Sequence, residues 1–304
     1  MPTLDANKVY NDVLSEMSKY IAGKKETIEL MVIAIVANGH TLMEGVPGVA
    51  KTTMTKALAS IIDADFKRIQ GTPDLEPKDI VGYSYVDADK SVKFNKGPIF
   101  TNILLIDELN RVQPKTMSAM LETLGERQAT VGGITMPLLN PFIAFATQNP
   151  LRMEGTEQIP KVLSDRFLMK IDVDYPSMEE EQEMLRMKEK IAEQPKKIMS
   201  TADVLELQEQ AVQVHMSDEI AEYITRLVNA TRTDIHVVMG ASPRSDIAFM
   251  QCAKAKALLE DRKEVNKDDI TFLANSVLSH RVMVRSTGGI GVHGIIDGIL
   301  ASVE

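Results

Sequence analysis

The chain has no tryptophan, a single cysteine and no long apolar segment among its 304 residues. Cys252 cannot form an intrachain disulfide, so we expect a reducing, cytoplasmic location, with Cys252 as a small buried hydrophobic residue. No stretch reaches the roughly 18 apolar residues of a membrane helix, and the N-terminus lacks the pattern of a signal peptide. The formal charge of −9 gives no hint of a nucleic-acid surface, although it does not exclude a locally basic one. We therefore expect no membrane segment, and nucleic acid is not the expected partner.

The most informative segment is Gly-Val-Pro-Gly-Val-Ala-Lys-Thr-Thr at 45–53. It follows a predicted strand at 39–44 and precedes a helix predicted from Lys51 to about Asp63, which is the context that a phosphate-binding loop requires. Backbone N–H groups of the loop and of the helix start form a ready anion site. The predicted nucleotide-binding residues are Gly45, Val46, Pro47, Gly48, Val49, Ala50, Lys51, Thr52 and Thr53.

Two side chains of this loop have specific predicted roles. Lys51 would reach the β- and γ-phosphates, and Thr52 would offer its hydroxyl to Mg²⁺. Ala50 departs from the generic pattern, which has glycine at that position. The alternative interpretation is an ordinary Gly/Pro turn before a surface helix.

A second segment, Asn-Ile-Leu-Leu-Ile-Asp-Glu at 102–108, is an apolar run of strand length that ends in two acids. Such runs suit a central parallel strand, whose carboxyl end faces the ligand crevice of an open α/β sheet. Asp107 could hold Mg²⁺ beside Thr52, and Glu108 could orient the attacking water. Alone, this pattern usually marks a solvated strand end. With the loop, it predicts hydrolysis of ATP or GTP.

Two further polar positions are candidates. The apolar run at 141–147 ends in Gln148-Asn149, where an amide could contact a γ-phosphate or the attacking water; alternatively, Asn-Pro begins a turn. Ser242 is predicted to cap a helix with Pro243 at its first position. Arg244 in that first turn would oppose the helix dipole, so it is better explained by an anion than as a tolerated surface residue.

Composition divides the chain at about residue 175. Up to there, apolar strand runs alternate with helical stretches, which predicts an α/β fold with strands near 40–44, 66–70, 102–106, 142–147 and 168–173. Beyond it, helical patterns occur at 178–192, 201–214, 218–232, 243–261 and 267–281. The predicted domains are 1–175 and 176–304. Alternating segments at 81–94 and 128–136 predict two β-hairpins, the second with a Gly132-Gly133 turn.

Taken in order, these segments resemble the MoxR family of AAA+ ATPases, related to the magnesium-chelatase motor subunit. The resemblance rests on 45–52, on Leu-Leu-Ile-Asp-Glu-Leu-Asn-Arg (104–111), on Lys-Thr-Met-Ser-Ala-Met-Leu-Glu-Thr-Leu-Gly-Glu-Arg-Gln (115–128), and on Ala-Thr-Gln-Asn-Pro (146–150), Leu-Ser-Asp-Arg-Phe (163–167) and Gly-Ala-Ser-Pro-Arg (240–244). It covers nearly the whole chain, and the family's loop resembles this one at Ala50. The sequence departs from the family at 156–162, where the family usually has an aromatic residue and a more acidic stretch.

The resemblance implies a P-loop NTPase (AAA+) fold, in which helices sandwich a parallel sheet and a smaller all-α lid domain follows. It implies that Asn149 is the first sensor, Arg166 the arginine finger and Arg244 the second sensor, in a ring, expected to be a hexamer, that uses ATP and Mg²⁺. Without the resemblance, Arg166 is explained by a local ion pair with Asp165, which contributes little.

The function that the resemblance implies is ATP-driven remodelling of, or metal or cofactor insertion into, a partner protein. A partner with a von Willebrand factor A domain is expected, and the hairpins are candidates for substrate engagement because such hairpins project towards the pore in this branch of AAA+ rings. Two alternatives stay open. One is a motor that acts on nucleic acid, and the other is a nucleotide-dependent scaffold with little turnover, against which the Asp107-Glu108 pair argues.

Overall fold

The structure, a computed structural model, describes residues 4–150, 156–188, 194–285 and 291–303. An α/β region comes first: α1 (Ala6–Met17), α2 (Lys25–Val36), β1 (Thr41–Glu44), α3 (Lys51–Ile61), β2 (Phe66–Gln70), α4 (Pro77–Val81), β3 (Gly82–Val86), β4 (Val92–Lys96), β5 (Ile103–Asp107), α5 (Pro114–Glu126), β6 (Gln128–Val131), β7 (Ile134–Pro137), β8 (Ile143–Gln148), α6 (Lys161–Ser164) and β9 (Met169–Asp172). A helical region follows: α7 (Met178–Lys188), α8 (Thr201–Gln213), α9 (Asp218–Thr233), β10 (Val237–Met239), α10 (Arg244–Leu259), α11 (Lys267–Leu278), β11 (Met283–Val284) and α12 (Val292–Val303).

The main sheet has the strand order β2-β5-β8-β1-β9, and each neighbouring pair is parallel. All five predicted strands are confirmed within a few residues. Because the strands are parallel, their carboxyl ends meet at one edge, where Glu44, Asp107, Gln148 and Asp172 gather. This edge positions the site described below.

Helices cover both faces of the sheet, as predicted. Successive residues of β5 alternate between two cores, with Leu105 packed on the side of α3 and Leu104 on the side of α5. Leu58 of α3 and Met117 of α5 are fully buried on these two sides. Burial of each such side chain stabilises the fold by about 1.5–3 kcal/mol, so the sandwich holds the strand tips in place.

Both predicted hairpins are present as antiparallel pairs, β3 with β4 and β6 with β7. They lie side by side, since a Cβ atom on Gly132 would be 2.7 Å from Ser84 Oγ. On the first hairpin, Tyr83 and Tyr85 are about half exposed, at 48% and 45%. The hairpins therefore form a shared exposed structure outside the main sheet.

The helical region packs on the α2 side of the sheet, and helices α8 to α12 share one continuous core with the α/β region. The predicted helices are confirmed, except that residues 189–192 of the pattern at 178–192 lie outside the described residues. The short ribbon of β10 and β11 was not predicted. Contacts from the N-terminus also reach this region, since Asn7 Nδ2 donates to Leu259 O at 2.8 Å. The domain boundary at residue 175 therefore stays a prediction.

The prediction that Ser242 caps α10 was wrong. Pro243 occupies the cap position and has helical backbone angles, and no side chain caps the helix there. Ser242 instead donates its hydroxyl hydrogen bond to Asp165. Cys252 is buried in α10, where burial raises the pKa of its thiol to about 12, which fits the predicted hydrophobic role. Within the described ranges, no helix is both long and apolar enough to cross a membrane.

Candidate nucleotide-binding site

The phosphate loop connects the end of β1 to the start of α3. Gly48 and Ala50 have φ angles of 90° and 65°, which place both in the left-handed region of backbone space. A Cβ atom on Gly45 would lie 2.4 Å from Val173 O, so glycine allows the loop to approach the end of β9. The first N–H groups of α3 have no partner within the helix and are available to an anion. The loop thus has the geometry that the sequence predicted.

Lys51 lies against this loop. Its Nζ donates to Val46 O at 2.9 Å and also to Gly45 O. Burial lowers the pKa of Lys51, while the charges of Asp107, Glu108 and Glu44 act in the opposite direction. Lys51 therefore provides a cation among the loop N–H groups, where phosphate oxygens would be held.

Asp107 connects the loop helix to the neighbouring strands. Its Oδ2 accepts from Thr52 Oγ1 at 3.1 Å and from Arg68 Nη2 at 2.7 Å, and its Oδ1 accepts from Thr147 Oγ1 at 2.7 Å. Burial raises the pKa of Asp107, but these three hydrogen-bond donors outweigh it, so the pKa lies below the ordinary value. Asp107 is therefore held as a carboxylate.

The side-chain oxygens of Thr52 and Asp107, 3.1 Å apart, fit a magnesium ion that arrives with a nucleotide. Among the residues that the structure describes, no cluster of three or more His, Cys, Asp or Glu could bind a metal by itself. Mg²⁺ usually keeps several waters and binds through one or two carboxylates together with substrate phosphates. Thr52 and Asp107, adjacent to the phosphate loop, are the residues that would hold it.

Glu108 directly follows β5 in a left-handed conformation, with φ of 56°. Its Oε2 accepts from Gln70 Nε2 at 2.8 Å and from Arg111 Nη1 at 3.0 Å. The backbone N–H of Glu108 donates to Thr147 Oγ1 at 2.9 Å. These contacts orient a carboxylate that is about one-third exposed, so water can reach it.

Except for Val46, the predicted residues of the phosphate site share one cavity of about 300 Å³. Its lining combines the loop and the strand tips: Gly45, Pro47, Gly48, Val49, Ala50, Lys51, Thr52, Thr53, Asp107, Glu108, Thr147, Gln148 and Asn149. Asn149 is thus brought to the same cavity as Lys51 and Glu108. Val46 is the one loop residue outside this lining, and it contributes the carbonyl that accepts from Lys51.

Sequence reasoning missed several members of this site. Thr147 contacts both acids, and its position at a predicted strand tip could have identified it. Arg68 and Gln70 come from β2, where no motif marks them.

An adjoining apolar cavity of about 480 Å³ was missed as well; it is lined by Tyr20, Ile21, Ala22, Lys24, Pro47, Gly48, Val49, Ala50, Thr53, Tyr175, Pro176, Glu181, Met184 and Met187. This second cavity suits a flat aromatic base beside the phosphates.

The two predicted arginines lie elsewhere. Arg166 and Arg244 line a separate recess of about 310 Å³, together with Arg127, Arg281 and Asp165. Neither arginine lines the phosphate cavity of its own chain. The alternative expectation for Arg166, a local ion pair with Asp165, was wrong, because Asp165 pairs with Arg281 at 3.2 Å instead. The structure therefore brings Arg166 and Arg244 to each other and separates them from Lys51 and Glu108.

Comparisons with known proteins agree with this architecture. The model of the ATPase family associated with various cellular activities (AAA) matches residues 40–169, and the AAA lid domain model matches residues 229–289. Uncharacterized protein YeaC of Bacillus subtilis is 42% identical, over 99% of this chain and 96% of that protein. Chaperone MoxR1 of Mycobacterium tuberculosis is 39% identical, over 88% of this chain and 74% of that protein.

A solved structure is also similar. The crystal structure of a candidate ATPase from Cytophaga hutchinsonii superposes with a TM-score of 0.91 at 38% sequence identity, and covers 98% of this chain and 95% of that one. The fold, the phosphate loop with its two acids, and these relatives lead to one assignment. The chain belongs to the MoxR family of AAA+ ATPases.

Proposed function

We propose that this protein hydrolyses ATP with Mg²⁺ in a ring of identical subunits, expected to be a hexamer, with each nucleotide between two neighbours. One observation carries the proposal. Lys51, Thr52 and Glu108 share one cavity, whereas Arg166 and Arg244 line a different recess of the same chain. In a head-to-tail ring, the recess of one subunit can meet the phosphate cavity of the next.

The residues of the phosphate cavity have complementary roles in hydrolysis. The loop N–H groups and Lys51 bind the β- and γ-phosphates, and Asp107 with Thr52 would hold Mg²⁺, which would neutralise charge on the phosphate oxygens. Glu108 accepts a hydrogen bond from the attacking water and takes its proton as the water oxygen bonds to the γ-phosphorus. The bond from that phosphorus to the β–γ bridging oxygen breaks, and ADP and phosphate leave. The amide of Asn149 can contact the γ-phosphate without adding charge.

Arg166 and Arg244 would complete the site from the neighbouring subunit. An arginine that reaches the transferring phosphoryl group can contribute about 10³–10⁵ in rate. Neither arginine has a carboxylate partner among the described residues, since Asp165 is engaged by Arg281. Their charges are therefore available for a phosphate.

The work that hydrolysis drives is proposed to be remodelling of, or cofactor insertion into, a partner with a von Willebrand factor A domain. Two observations support it: the relative MoxR1 is named a chaperone, and the first hairpin is exposed. The hairpin tip carries two carboxylates, Asp87 and Asp89. Such groups could complete the metal site of that partner domain.

Mixing two inactive variants tests the shared site. Arg166→Ala keeps Glu108, and Glu108→Gln keeps Arg166. Each variant lacks one of the two groups, so the turnover of each variant alone should fall by a factor of at least about 10³. In an equal mixture, roughly a quarter of the head-to-tail interfaces combine an intact Glu108 with an intact Arg166. We expect ATPase activity to return to a substantial fraction of the wild-type rate.

Native mass spectrometry is needed to confirm that mixed rings form. Arg166→Ala alone at doubled concentration controls for the effect of total protein concentration on assembly and activity. Mixed rings without any gain in activity would refute the arrangement in which Arg166 acts on a neighbour's nucleotide.

A further inference from the structure

Asp165 connects the two segments that carry the arginines of the recess. It directly precedes Arg166 at the end of α6, and its carboxylate accepts the hydroxyl hydrogen bond of Ser242, with oxygen separations of 3.0 and 3.1 Å. Ser242 lies two residues before Arg244. Asp165 is also the only acid among the described residues that line the recess. One carboxylate therefore joins the segment that carries Arg166 to the segment that carries Arg244.

Arg281 holds the segment that carries Arg166 from a third element. Its Nε donates to Asp165 Oδ1 at 3.2 Å, and its Nη2 donates to Phe167 O at 2.7 Å. Its Nη1 donates to Leu168 O at 3.0 Å and to Val277 O at 2.7 Å. Arg281 is only 3% exposed, so its charge needs a buried counter-ion. These contacts fix the chain on both sides of Arg166 to the end of α11.

Arg166 itself is held by shape and not by an ion pair. Its Nε is buried and has no hydrogen-bond partner. Its guanidinium passes directly over Gly125 of α5, where a Cβ atom would lie 1.7 Å from Nη1. Its position therefore depends on the backbone around it, which Asp165 and Arg281 hold.

We propose that Asp165 is a positioning residue that holds Arg166 and Arg244 as one unit, so that both reach the same phosphate of a neighbouring subunit. This inference rests on the proposed function. Asp165 neutralises the charge of Arg281, so the charges of Arg166 and Arg244 stay without a counter-ion within the chain. The hydrogen bond from Ser242 to Asp165 sets the spacing between Arg166 and Arg244. Without that carboxylate, like charges in a 310 Å³ recess drive the two segments apart. A displacement of about 1 Å can cost roughly a hundredfold in rate.

Asp165→Asn and Ser242→Ala test the two parts of this contact. Asp165→Asn keeps the size of the side chain and removes its charge, and we expect kcat to fall about 10- to 100-fold. The affinity for ATP, measured with a fluorescent ATP analogue on isolated subunits, should change less than about twofold, because the phosphate cavity is elsewhere. Ser242→Ala should lower kcat in the same direction, and Ser242→Thr, which keeps the hydroxyl, should restore it. The control Asp261→Asn makes the same chemical change at an exposed turn and should leave kcat unchanged.

Mixed rings separate positioning from a general structural role. Asp165→Asn subunits keep Glu108, and Glu108→Gln subunits keep the complete arginine recess, so their mixture should gain activity over either variant alone. If Asp165 only stabilises its own subunit's nucleotide cavity, the mixture shows no gain, and the inference is overturned. If Asp165→Asn shows no cooperative thermal unfolding, Ser242→Ala takes its place with the same two outcomes.

The mixture of Arg166→Ala with Glu108→Gln distinguishes the two levels of the argument. A gain in that mixture, without a gain in the Asp165→Asn mixture, rejects the role of Asp165 and keeps the shared site. No gain in either mixture rejects the shared site, and with it the positioning role.

Discussion

Ala50 occupies a left-handed conformation in the phosphate loop, with φ of 65°. For a residue with a Cβ atom this conformation costs about 1–2 kcal/mol, and the greater freedom of unfolded glycine offsets about 0.4–1 kcal/mol of that. We therefore expect Ala50→Gly to raise the free energy of unfolding by about 0.5–1 kcal/mol, as measured by urea denaturation. Ala119→Gly, in the middle of α5, is the matched control and should lower it by about 1 kcal/mol. Equal destabilisation by both would contradict this account of the loop.

Lys51 is the charged group of the loop, and its removal should abolish measurable ATP binding. Ligand binding stabilises the folded state by about 2.7 kcal/mol at a hundredfold excess over Kd, so saturating Mg-ATP should raise the melting temperature of the wild type. We expect no such rise for Lys51→Ala. A rise equal to that of the wild type would show that Lys51 is not a phosphate ligand.

Residues of the site were predictable where the signal was local. Lys51 and Thr52 follow from a strand, a loop and a helix start that are contiguous in sequence, and Asp107 and Glu108 from the end of an apolar run. Arg68 and Gln70 were not predictable, because their contacts arise only when β2 pairs with β5. The wrong expectation at Ser242 has a similar cause: its hydroxyl contacts Asp165, which is 77 residues away in sequence.

At the scale of elements, one buried histidine attaches α5 to the sheet. The backbone N–H of Ala144 donates to His40 Nδ1 at 3.0 Å, so Nδ1 must be unprotonated and Nε2 donates to Leu124 O at 3.1 Å. Burial lowers the pKa of His40 to about 3, and the charge of Arg127 adds to the effect. Neutral His40 therefore joins β1, β8 and the end of α5.

This histidine makes stability depend on pH. In the unfolded chain His40 takes up a proton below its ordinary pKa of about 6.5, whereas in the folded chain it stays neutral down to about pH 3. Its contribution is therefore complete above pH 6.5 and is lost as the pH falls, by up to about 1.4 kcal/mol per pH unit. Urea denaturation at pH 7, 6 and 5 should show a smaller decline for His40→Gln than for the wild type. Identical slopes would contradict the neutral state of His40.

Elements were predictable where their apolar pattern has a clear period or length. The five strands and both hairpins follow from short apolar or alternating runs. Helix α2 was not predicted, and the reason is physical: nearly all residues from Thr27 to Val36 are buried, and Leu30 to Val36 is an unbroken apolar run without helical period. The ribbon of β10 and β11 joins residues more than 40 positions apart, which no local pattern marks.

At the scale of the whole molecule, the chain separates a cavity for phosphates from a recess of arginines. Arg166 and Arg244 bring uncompensated positive charge to a recess that is separate from the chain's own phosphate cavity. Without a nucleotide, contact between the recess of one subunit and the phosphate cavity of another contributes little binding free energy, because the arginines would be buried without counter-ions. In the proposed ring, Mg-ATP bound to the neighbour would supply that counter-charge.

We therefore expect ATP to control assembly. Glu108→Gln should bind Mg-ATP without hydrolysing it, and light scattering should then show a shift from smaller species to a ring when Mg-ATP is added at constant protein concentration. Arg166→Ala/Glu108→Gln should need more protein or more nucleotide for the same shift, because one counter-ion of the phosphate is missing. Lys51→Ala is the control that should not respond to Mg-ATP, since it lacks the phosphate ligand. If Glu108→Gln stays monomeric with and without saturating Mg-ATP, the nucleotide does not join two subunits and the ring is not formed by this chain alone.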